Sequence, residues 1–186
     1  YYEGQIVNLE SQITTKDATI NQLTSQISTL QNQIEDLQRQ QETQILGVYF
    51  SPNGGCENQV ISWINRANST IHILIYSFTI DRIGDALVAA HNRGVNISIV
   101  FEKEQMIQEC EYRKLKAEGI NVRNDTNSGL LHDKIMIIDG TIVLTGSFNY
   151  SVAGEEKNNE NLIIVRSTSV AGIYEAEFER IWNQSV

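Results

Sequence analysis

The most constraining feature of this sequence is a seven-residue repeat of apolar side chains through its first 46 residues. The repeat places Ile6, Ile13, Ile20, Ile27 and Ile34 at one position and Leu9, Leu23, Leu30 and Leu37 three residues later. The other residues of the segment are mostly polar, so a single helix would have a narrow apolar stripe and no core of its own. The segment therefore predicts a long helix that needs a second helix beside it.

The seam residues further predict a parallel, two-stranded coiled coil. Ile at the first core position with Leu at the second favours two parallel strands, and five heptads would form a rod of roughly 50 Å. Lys16 replaces one Leu, which weakens that layer and is expected to help set the register. The alternative is an amphipathic helix lying on the chain's own globular domain, although such helices carry a broader apolar face.

From residue 46 onward the pattern changes to short β-rich runs that alternate with helical ones, which predicts an α/β domain. We predict a coiled-coil helix at residues 1–45 and one folded domain at residues 46–186. Gly94 and Gly119 are expected to end helices, and Asp139-Gly140 to form a hairpin turn. Strands are predicted at 48–50, 70–78, 96–101, 121–123, 134–139, 142–146 and 162–166, and helices at 57–67, 82–93, 103–117 and 170–182.

Residues 131–161 contain the polar side chains that indicate chemistry. His132 and Lys134 share one face of a predicted strand, and a turn after the next strand can return Ser147 and Asn149 to them, while Glu160 follows later. An imidazole, a fixed cation, neutral hydrogen-bond donors and an orienting carboxylate suit a phosphodiester substrate. The imidazole can attack phosphorus to form a covalent phosphohistidine, and the cation and donors can stabilise the developing charge without a metal.

The spacing of these residues resembles a known family. His132-x-Lys134-x4-Asp139-x6-Gly146-Ser147-x-Asn149 is the complete signature of the phospholipase D superfamily. The resemblance covers about residues 46–186 and implies a mixed β-sheet flanked by helices, whereas the coiled coil lies outside it. The segment from Lys157 to Asn161 also looks like the one that follows this motif in the family's small secreted bacterial endonucleases.

The resemblance also implies a role for each residue of the motif. His132 would be the nucleophile in one active half and the general acid in the other, and Lys134 and Asn149 would hold the phosphoryl oxygens. Ser147 would add a hydrogen bond, and Glu160 would orient a catalytic histidine. Asp139 and Gly146 belong to the signature as structural positions, with Asp139 beside the site. Neither a metal nor a cofactor is implied.

Hydrolysis through a phosphohistidine needs two imidazoles, one to attack and one to protonate the leaving oxygen, but this chain has one motif. His72 and His91 lie in an apolar strand and an amphipathic helix, and neither is followed by Lys two residues later. The second imidazole is therefore expected from a second copy of the chain, in a homodimer with a composite site on its two-fold axis. A parallel coiled coil would share that axis.

Four other residues are interpreted as lying outside the chemistry or at its margin. Alternation points Asp133 away from His132 and Lys134, so a surface role is favoured. Glu102 could line the cleft or open the next helix. Trp63 and Trp182 have the helical spacing of core residues rather than of base-stacking platforms.

The net charge of the chain bears on which substrate it is expected to bind. The net charge of −9 is spread over both parts of the chain, which weighs against a tight nucleic-acid binder because phosphate neutralisation supplies most non-specific affinity. A non-specific endonuclease acting on DNA or RNA remains the leading expectation, with a phospholipase acting on cardiolipin or a similar lipid as the alternative. A third alternative is a scaffold whose site has decayed.

Cys56 and Cys110 are too few and too far apart in sequence for a zinc ribbon or a redox CxxC motif. A disulfide in an oxidising compartment and two separate buried thiols both fit the sequence. The chain opens on Tyr1 without an initiator Met, so an upstream signal peptide or membrane anchor is expected, with the coiled coil as an extracytoplasmic stalk.

Overall fold

The computed structural model describes residues 2–186, without the side chains of residues 39–42. The chain forms two compact units, which divide between Gln41 and Glu42. The first unit consists of helix α1 (Tyr2–Glu42), and its heptad side chains are between 51 and 62% exposed in the single chain. The predicted long helix is confirmed, and its pairing with a second helix stays a prediction. No helix within residues 2–186 combines the length and apolar character needed to cross a membrane.

The second unit is an α/β domain whose elements largely follow the predicted order. Its strands are β1 (Gln44–Ser51), β2 (Thr70–Ile75), β3 (Asn96–Phe101), β4 (Asn121–Asn124), β5 (Lys134–Ile138), β6 (Ile142–Gly146) and β7 (Glu160–Arg166). Its α-helices are α2 (Cys56–Ile64), α3 (Asp81–Asn92), α4 (Tyr112–Ala117), α5 (Val152–Glu156) and α6 (Thr168–Gln184), with a 3-10 turn at Lys103–Gln105.

The seven strands form one mixed sheet in the order β1-β7-β6-β5-β2-β3-β4. β2, β3 and β4 are parallel, and the remaining neighbours are antiparallel. One face buries a large core that includes side chains of α2 and α3, such as Val60 and Leu87, and the other face packs against Phe178 and Ile181 of α6. The mixed sheet flanked by helices is therefore confirmed.

The antiparallel arrangement of β5, β6 and β7 positions the candidate site. β5 begins at Lys134, β6 ends at Gly146 and β7 begins at Glu160. Since neighbouring antiparallel strands run in opposite directions, these three strand ends lie next to one another on the same side of the sheet, where the strands begin or end. Strand pairing therefore brings Lys134 and Glu160 to the end of β6 from which Ser147 and Asn149 follow.

The predicted helix at 103–117 is wrong in its middle. Only Lys103–Gln105 and Tyr112–Ala117 are helical, because the backbone N–H of Glu111 donates to Phe78 O (3.1 Å) instead of to its own turn. The predicted strand 70–78 ends early, at Ile75, and the predicted strand 48–50 is the middle of a longer one, Gln44–Ser51. Helix α5 was not expected.

The predicted turn residues have the expected backbone conformations. Gly94 and Gly119 have φ values of 94° and 85° after α3 and α4, and Asp139 and Gly140 have φ values of 52° and 60° between β5 and β6. Two positive φ values in succession are typical of the tight turn that matches the twist of a hairpin. Cys56 and Cys110 are both buried free thiols, which fits the second of the two interpretations of the cysteines.

Candidate active site

A cavity of about 400 Å³ lies where β5 begins, β6 ends and β7 begins. It is lined by His132, Lys134, Gly146, Ser147, Asn149 and Glu160. All five residues predicted to act in the chemistry therefore line one pocket, together with the signature glycine. The pocket is open on one side, and His132 is exposed at its rim.

Gly146 allows the chain to turn tightly from β6 into the site. Its φ is 147°, and a Cβ atom built on it would lie 2.3 Å from Asn161 O. The same carbonyl accepts hydrogen bonds from the backbone N–H groups of Ser147 and Phe148, both at 3.1 Å. Only glycine permits this close approach, so the signature glycine holds Ser147 against β7.

Hydrogen bonds from strand β7 and from the segment after β2 hold Ser147 and Asn149 in place. Ser147 Oγ accepts hydrogen bonds from Asn161 N (3.1 Å) and Asn161 Nδ2 (3.3 Å), which leaves its own O–H proton available to a substrate oxygen. Asn149 Oδ1 accepts from the backbone N–H of Ser77 (3.2 Å). Because the amide oxygen is occupied, the amide nitrogen is the group left to donate.

Lys134 is a largely buried cation in the floor of the pocket. It is 7% exposed, and its Nζ donates to the carbonyl oxygen of His132 and lies 4.9 Å from the ring centre of Tyr76. Burial lowers the pKa of Lys134, and the nearby carboxylates of Asp133 and Glu160 oppose that effect. A partly desolvated ammonium interacts strongly with a phosphate, since little water screens it.

Tyr76 is a site neighbour that the sequence did not reveal. Its ring lies 4.7 Å from the His132 ring, tilted by 55°, and its hydroxyl accepts a hydrogen bond from Gln105 Nε2 (3.0 Å). Tyr76 follows β2, at the end where the parallel strands of an α/β sheet commonly present functional groups. An aromatic residue at that strand end is the signal that could have identified it.

Glu160 begins β7 within the cavity lining. Its Oε1 accepts a hydrogen bond from Asn158 Nδ2 (3.0 Å). Its expected role, orienting a catalytic histidine, stays a prediction.

Asp139 does not line the cavity, in contrast to its expected place beside the site. It lies in the hairpin after β5, at the other end of that strand from Lys134. Its carboxylate accepts hydrogen bonds from the backbone N–H groups of Ser69 (2.8 Å), Thr70 (3.0 Å) and Asn68 (3.0 Å). Burial opposes ionisation, but these bonds outweigh it and lower the pKa of Asp139 to about 2. Asp139 therefore ties the hairpin to the start of β2.

Glu102 opens the following 3-10 turn, which is the second of the two places expected for it. It is fully buried, its Oε2 accepts from the backbone N–H of Leu131, and its Oε1 accepts from Glu104 N (3.0 Å). It caps the 3-10 turn and also anchors the residue that precedes His132. Glu102 holds the backbone of Leu131 next to the site, but it does not line the cavity.

The other residues considered in the sequence also lie outside the cavity. His72 Nδ1 is 2.6 Å from Glu175 Oε2, and its ring stacks on Phe178. The remaining aromatic and ionisable candidates, His91, Asp133, Trp63 and Trp182, do not line the pocket either. Within residues 2–186, no group of three or more His, Cys, Asp and Glu side chains is placed to hold a metal ion.

Comparison with known proteins identifies the family. The family described as "Cardiolipin synthase, PLD-like domain" matches residues 60–182. A mitochondrial cardiolipin hydrolase of Xenopus tropicalis is 32% identical over 120 residues, 64% of this chain and 57% of that protein. A phospholipase D of Rickettsia felis is 33% identical over 126 residues, 67% of this chain and 63% of that protein. The chain thus spans less than two thirds of these relatives.

Two solved structures share the fold. Nuc from Salmonella typhimurium, described as a phospholipase D family member, superposes with a TM-score of 0.73 and 34% identity, over 78% of this chain and 97% of Nuc. NucT from Helicobacter pylori superposes with a TM-score of 0.71 and 24% identity, over 78% of this chain and 99% of NucT. The α/β unit accounts for nearly all of both folds.

Proposed function

Because this chain belongs to the phospholipase D superfamily, we propose that it is a metal-independent phosphodiesterase that cleaves nucleic acid through a covalent phosphohistidine. The observation that carries the proposal is the convergence of His132, Lys134, Ser147, Asn149 and Glu160 in one open cavity. An exposed imidazole next to a buried cation and two amide or hydroxyl donors is suited to attack on a phosphodiester.

In the first step, a ring nitrogen of His132 attacks phosphorus while the bond between phosphorus and the leaving oxygen breaks. A second imidazole, in its protonated form, gives its proton to that oxygen. In the second step, the same imidazole takes a proton from water, whose oxygen attacks phosphorus and releases His132. The products are a phosphomonoester and an alcohol, and the enzyme returns to its starting state.

Lys134, Ser147 and Asn149 act on the oxygens of the transferring group. The ammonium of Lys134 neutralises charge, and the amide of Asn149 and the hydroxyl of Ser147 donate hydrogen bonds. Since these donors are held by strand ends and by hydrogen bonds to Ser77 and Asn161, they need little reorganisation as charge develops. The carboxylate of Glu160 would orient an imidazole at the same site.

The second imidazole comes from a second copy of the chain, since the cavity is lined by a single histidine. We propose a homodimer with one composite site on its two-fold axis. The heptad seam of α1 supports this arrangement, because its exposed Ile and Leu side chains would be buried in a parallel pair of helices. In this proposal, helix α1 and the α/β unit both require a two-fold axis.

The choice of nucleic acid rests on the smaller members of the family. The segment from Lys157 to Asn161 resembles that of the small bacterial endonucleases, and the α/β unit matches Nuc over nearly its whole length. The chain carries a net charge of −9, so affinity must come from the local cations of the cleft. We therefore expect weak binding of nucleic acid, with a salt dependence that reflects few phosphate contacts.

A phospholipase acting on cardiolipin or a related lipid is the second candidate. It is favoured by the names of the curated relatives, a cardiolipin hydrolase and a phospholipase D, and by the acidic balance of the chain. The same attack by His132 would serve, since both substrates are phosphodiesters. The nuclease and the phospholipase differ in the substrate, nucleic acid or lipid, that must occupy the open side of the cavity.

One substrate panel separates these functions. Purified protein in EDTA is given supercoiled plasmid, single-stranded DNA, RNA and cardiolipin liposomes, with His132→Ala as the matched control. Nicking that is lost in His132→Ala supports the nuclease, and phosphatidic acid release without nicking supports the phospholipase. Inactivity of the purified dimer on every substrate would contradict both and leave a scaffold function.

A further inference from the structure

The edge strand β4 carries a second pocket in the α/β unit, separate from the candidate active site. This pocket, which we call the β4 pocket, has a volume of about 250 Å³ and shares no lining residue with the catalytic cavity. Two of its lining residues are cations, one carries an amide and none carries a carboxylate. In a chain with a net charge of −9, a local group of cations without acids favours an anion as the ligand. The pocket is lined by Lys116, Ile120, Asn121, Val122, Arg123 and Trp182.

Arg123 is held in a fixed position in the β4 pocket. Its Nη1 donates to Trp182 O (2.7 Å), and its guanidinium carbon lies 4.1 Å from the centre of the Trp182 ring. That ring stacks in turn on Phe178, with 5.7 Å between the ring centres. Among the residues that the structure describes, Arg123 has no other hydrogen-bond partner, so its Nε and Nη2 groups remain to bind a ligand. A planar guanidinium with free N–H groups matches the oxygens of a phosphate.

Lys116 supplies a second cation that is not committed to an acid. It is exposed on α4. Over the described part of the chain, neither Lys116 nor Arg123 forms an ion pair with a carboxylate, whereas Arg82, Lys114 and Arg180 each do. The charge of the two pocket cations is therefore available to an anionic ligand.

The backbone of β4 adds a neutral donor to the same pocket. The N–H of Asp125 donates inward to Phe101 O of β3 (2.9 Å), and Asn124 exchanges two hydrogen bonds with Val186 on the outer side of β4 (2.6 and 3.0 Å). Since backbone direction alternates along a strand, the N–H of Val122 points outward as that of Asn124 does. Backbone N–H groups and basic side chains together are the usual ligands of a nucleic-acid phosphate.

The β4 pocket lies within reach of a strand bound in the catalytic cavity. Arg123 pairs with Val100, Val100 with Leu74, and Leu74 with Ile135, which follows Lys134 of the cavity. Three strand spacings of about 4.8 Å separate the two positions by roughly 14 Å. Phosphates follow one another at about 3.4 Å along a stacked strand, so roughly four nucleotides would span this distance.

The chain between the two pockets presents no opposing charge. Residues 126–130 are exposed, contain no acid, and lead from the end of β4 toward His132. A polyanion that lies along this segment would meet no carboxylate of the segment itself.

We propose that the β4 pocket binds a phosphate of a nucleic-acid strand whose scissile phosphate lies in the catalytic cavity. The inference rests on the proposed function and adds a contact outside the catalytic residues. Lys116 and Arg123 supply charge, and the amide of Asn121 and the N–H of Val122 donate hydrogen bonds. Such a contact would favour substrates of several nucleotides over short ones.

The first test measures binding, with His132→Ala as the background so that the strand stays intact. Lys116→Gln with Arg123→Gln should weaken binding of a single-stranded oligonucleotide and flatten the slope of log K against log salt by about 1. A purely structural role of these residues would not change this slope. An unchanged slope overturns the proposal. Lys116→Gln alone, at an exposed position, should give part of the effect and covers the case in which the double variant is unstable.

The matched control removes the same charge at the other end of the sheet. Arg66 lies four residues before β2 and packs over Trp63, with its guanidinium carbon 4.9 Å from the ring centre, and Arg166 is the last residue of β7. Arg66→Gln with Arg166→Gln should leave the slope unchanged. Equal flattening in the control and the test variant would show a general charge effect and overturn the site.

The second test compares substrates of different length in the otherwise unmodified chain. The ratio of kcat/KM for an oligonucleotide to kcat/KM for bis(p-nitrophenyl) phosphate should fall about tenfold in Lys116→Gln with Arg123→Gln, because the small ester cannot reach the β4 pocket. An unchanged ratio overturns the proposal and leaves the proposed function intact. If the unmodified chain cuts neither substrate, the proposed function fails, and the salt slope still decides whether the β4 pocket binds nucleic acid.

Discussion

At the scale of single residues, the site depends on a few side chains that hold others in place. Tyr76 contacts both His132 and Lys134, because its ring lies 4.7 Å from the ring of His132 and 4.9 Å from Lys134 Nζ. A cation facing an aromatic ring gains about 0.5–2 kcal/mol, depending on its exposure to water. Tyr76 is therefore a positioning residue that restrains two groups at once.

Replacing Tyr76 separates the contribution of its ring from that of its hydroxyl. Tyr76→Leu removes both contacts, so we expect kcat to fall about tenfold, with a smaller change in KM. Tyr76→Phe keeps the ring and loses only the hydrogen bond with Gln105, so its kcat should stay close to the wild-type value. Equal losses in the two variants, measured by steady-state nicking, would contradict a role for the ring.

Gly146 gives a second prediction at this scale. A methyl group at this position would lie 2.3 Å from Asn161 O, and the φ of 147° is strained for any other residue. Gly146→Ala should lower the free energy of unfolding by about 1–3 kcal/mol and reduce activity by displacing Ser147. Gly172→Ala, on the exposed side of α6 with no neighbour nearby, is the control. Denaturant titration of both variants measures the difference.

The sequence predicted every polar residue that lines the cavity, missed Tyr76 and left the place of Glu102 open between two alternatives. His132, Lys134, Ser147, Asn149 and Glu160 share a motif whose spacing can be read directly. Tyr76 and Glu102 reach the site from β2 and β3, which lie elsewhere in the sequence, so no local spacing relates them to it. Asp139 belongs to the motif by sequence, but strand β5 carries it away from the pocket.

At the scale of elements, errors occurred where tertiary contacts override local preference. Residues 103–117 have helical apolar spacing, but Glu102 caps a short turn and the N–H of Glu111 bonds Phe78 O. The bond to Phe78 is made with a distant part of the chain and cannot be read from a local period. The β-hairpin and the C-terminal ends of α3 and α4 were predicted correctly because single Gly and Asp residues determine them.

Glu111, at the start of α4, makes this region sensitive to pH. Burial raises the pKa of Glu111 from 4.5 to about 7, Lys114 opposes the shift and Asp81 adds to it. Lys114 Nζ lies 3.1 Å from Glu111 Oε2, but the two atoms are not aligned as a hydrogen bond. Between pH 4.5 and about 7, Glu111 therefore keeps its proton in the folded protein and has released it in the unfolded protein.

The sign of the effect follows from this proton. Below pH 4.5 Glu111 is protonated in both the folded and the unfolded protein, and its contribution to the free energy of unfolding is fully present. This contribution is lost as the pH rises through about 7, because the folded protein then has to release the proton as well. Glu111→Gln should remove roughly 2–3 kcal/mol of this pH dependence and be more stable than the unmodified chain at pH 8. Chemical denaturation at several pH values tests this, and parallel stability curves for the two proteins would contradict it.

At the scale of the whole molecule, the account depends on two copies of the chain. In the proposed function the α/β unit contributes one of two imidazoles, and the heptad seam of α1 is predicted to pair with a second helix. Neither the heptad pattern nor the motif alone defines where the two catalytic units meet, because a surface between copies leaves no periodic signal in the sequence.

Loss of the seam should make activity depend on concentration. Leu23→Lys with Ile27→Lys would place charges at two adjacent core layers, so we expect monomers at low concentration, with nicking that rises faster than linearly as protein is added. Ser25→Lys, which lies on the opposite side of the helix in the heptad frame, should remain dimeric and fully active. Sedimentation and nicking rates measured over the same concentration range check both expectations.

The most direct test of the account is a subunit-mixing measurement. Unmodified chain and His132→Ala are mixed in equal amounts, unfolded together, refolded and assayed for nicking at a fixed total concentration. If both imidazoles of a dimer are required, only dimers of two unmodified chains are active, and the rate should be about one quarter of that of the unmodified protein. A rate of about one half would mean that each subunit works alone, and would contradict the shared site.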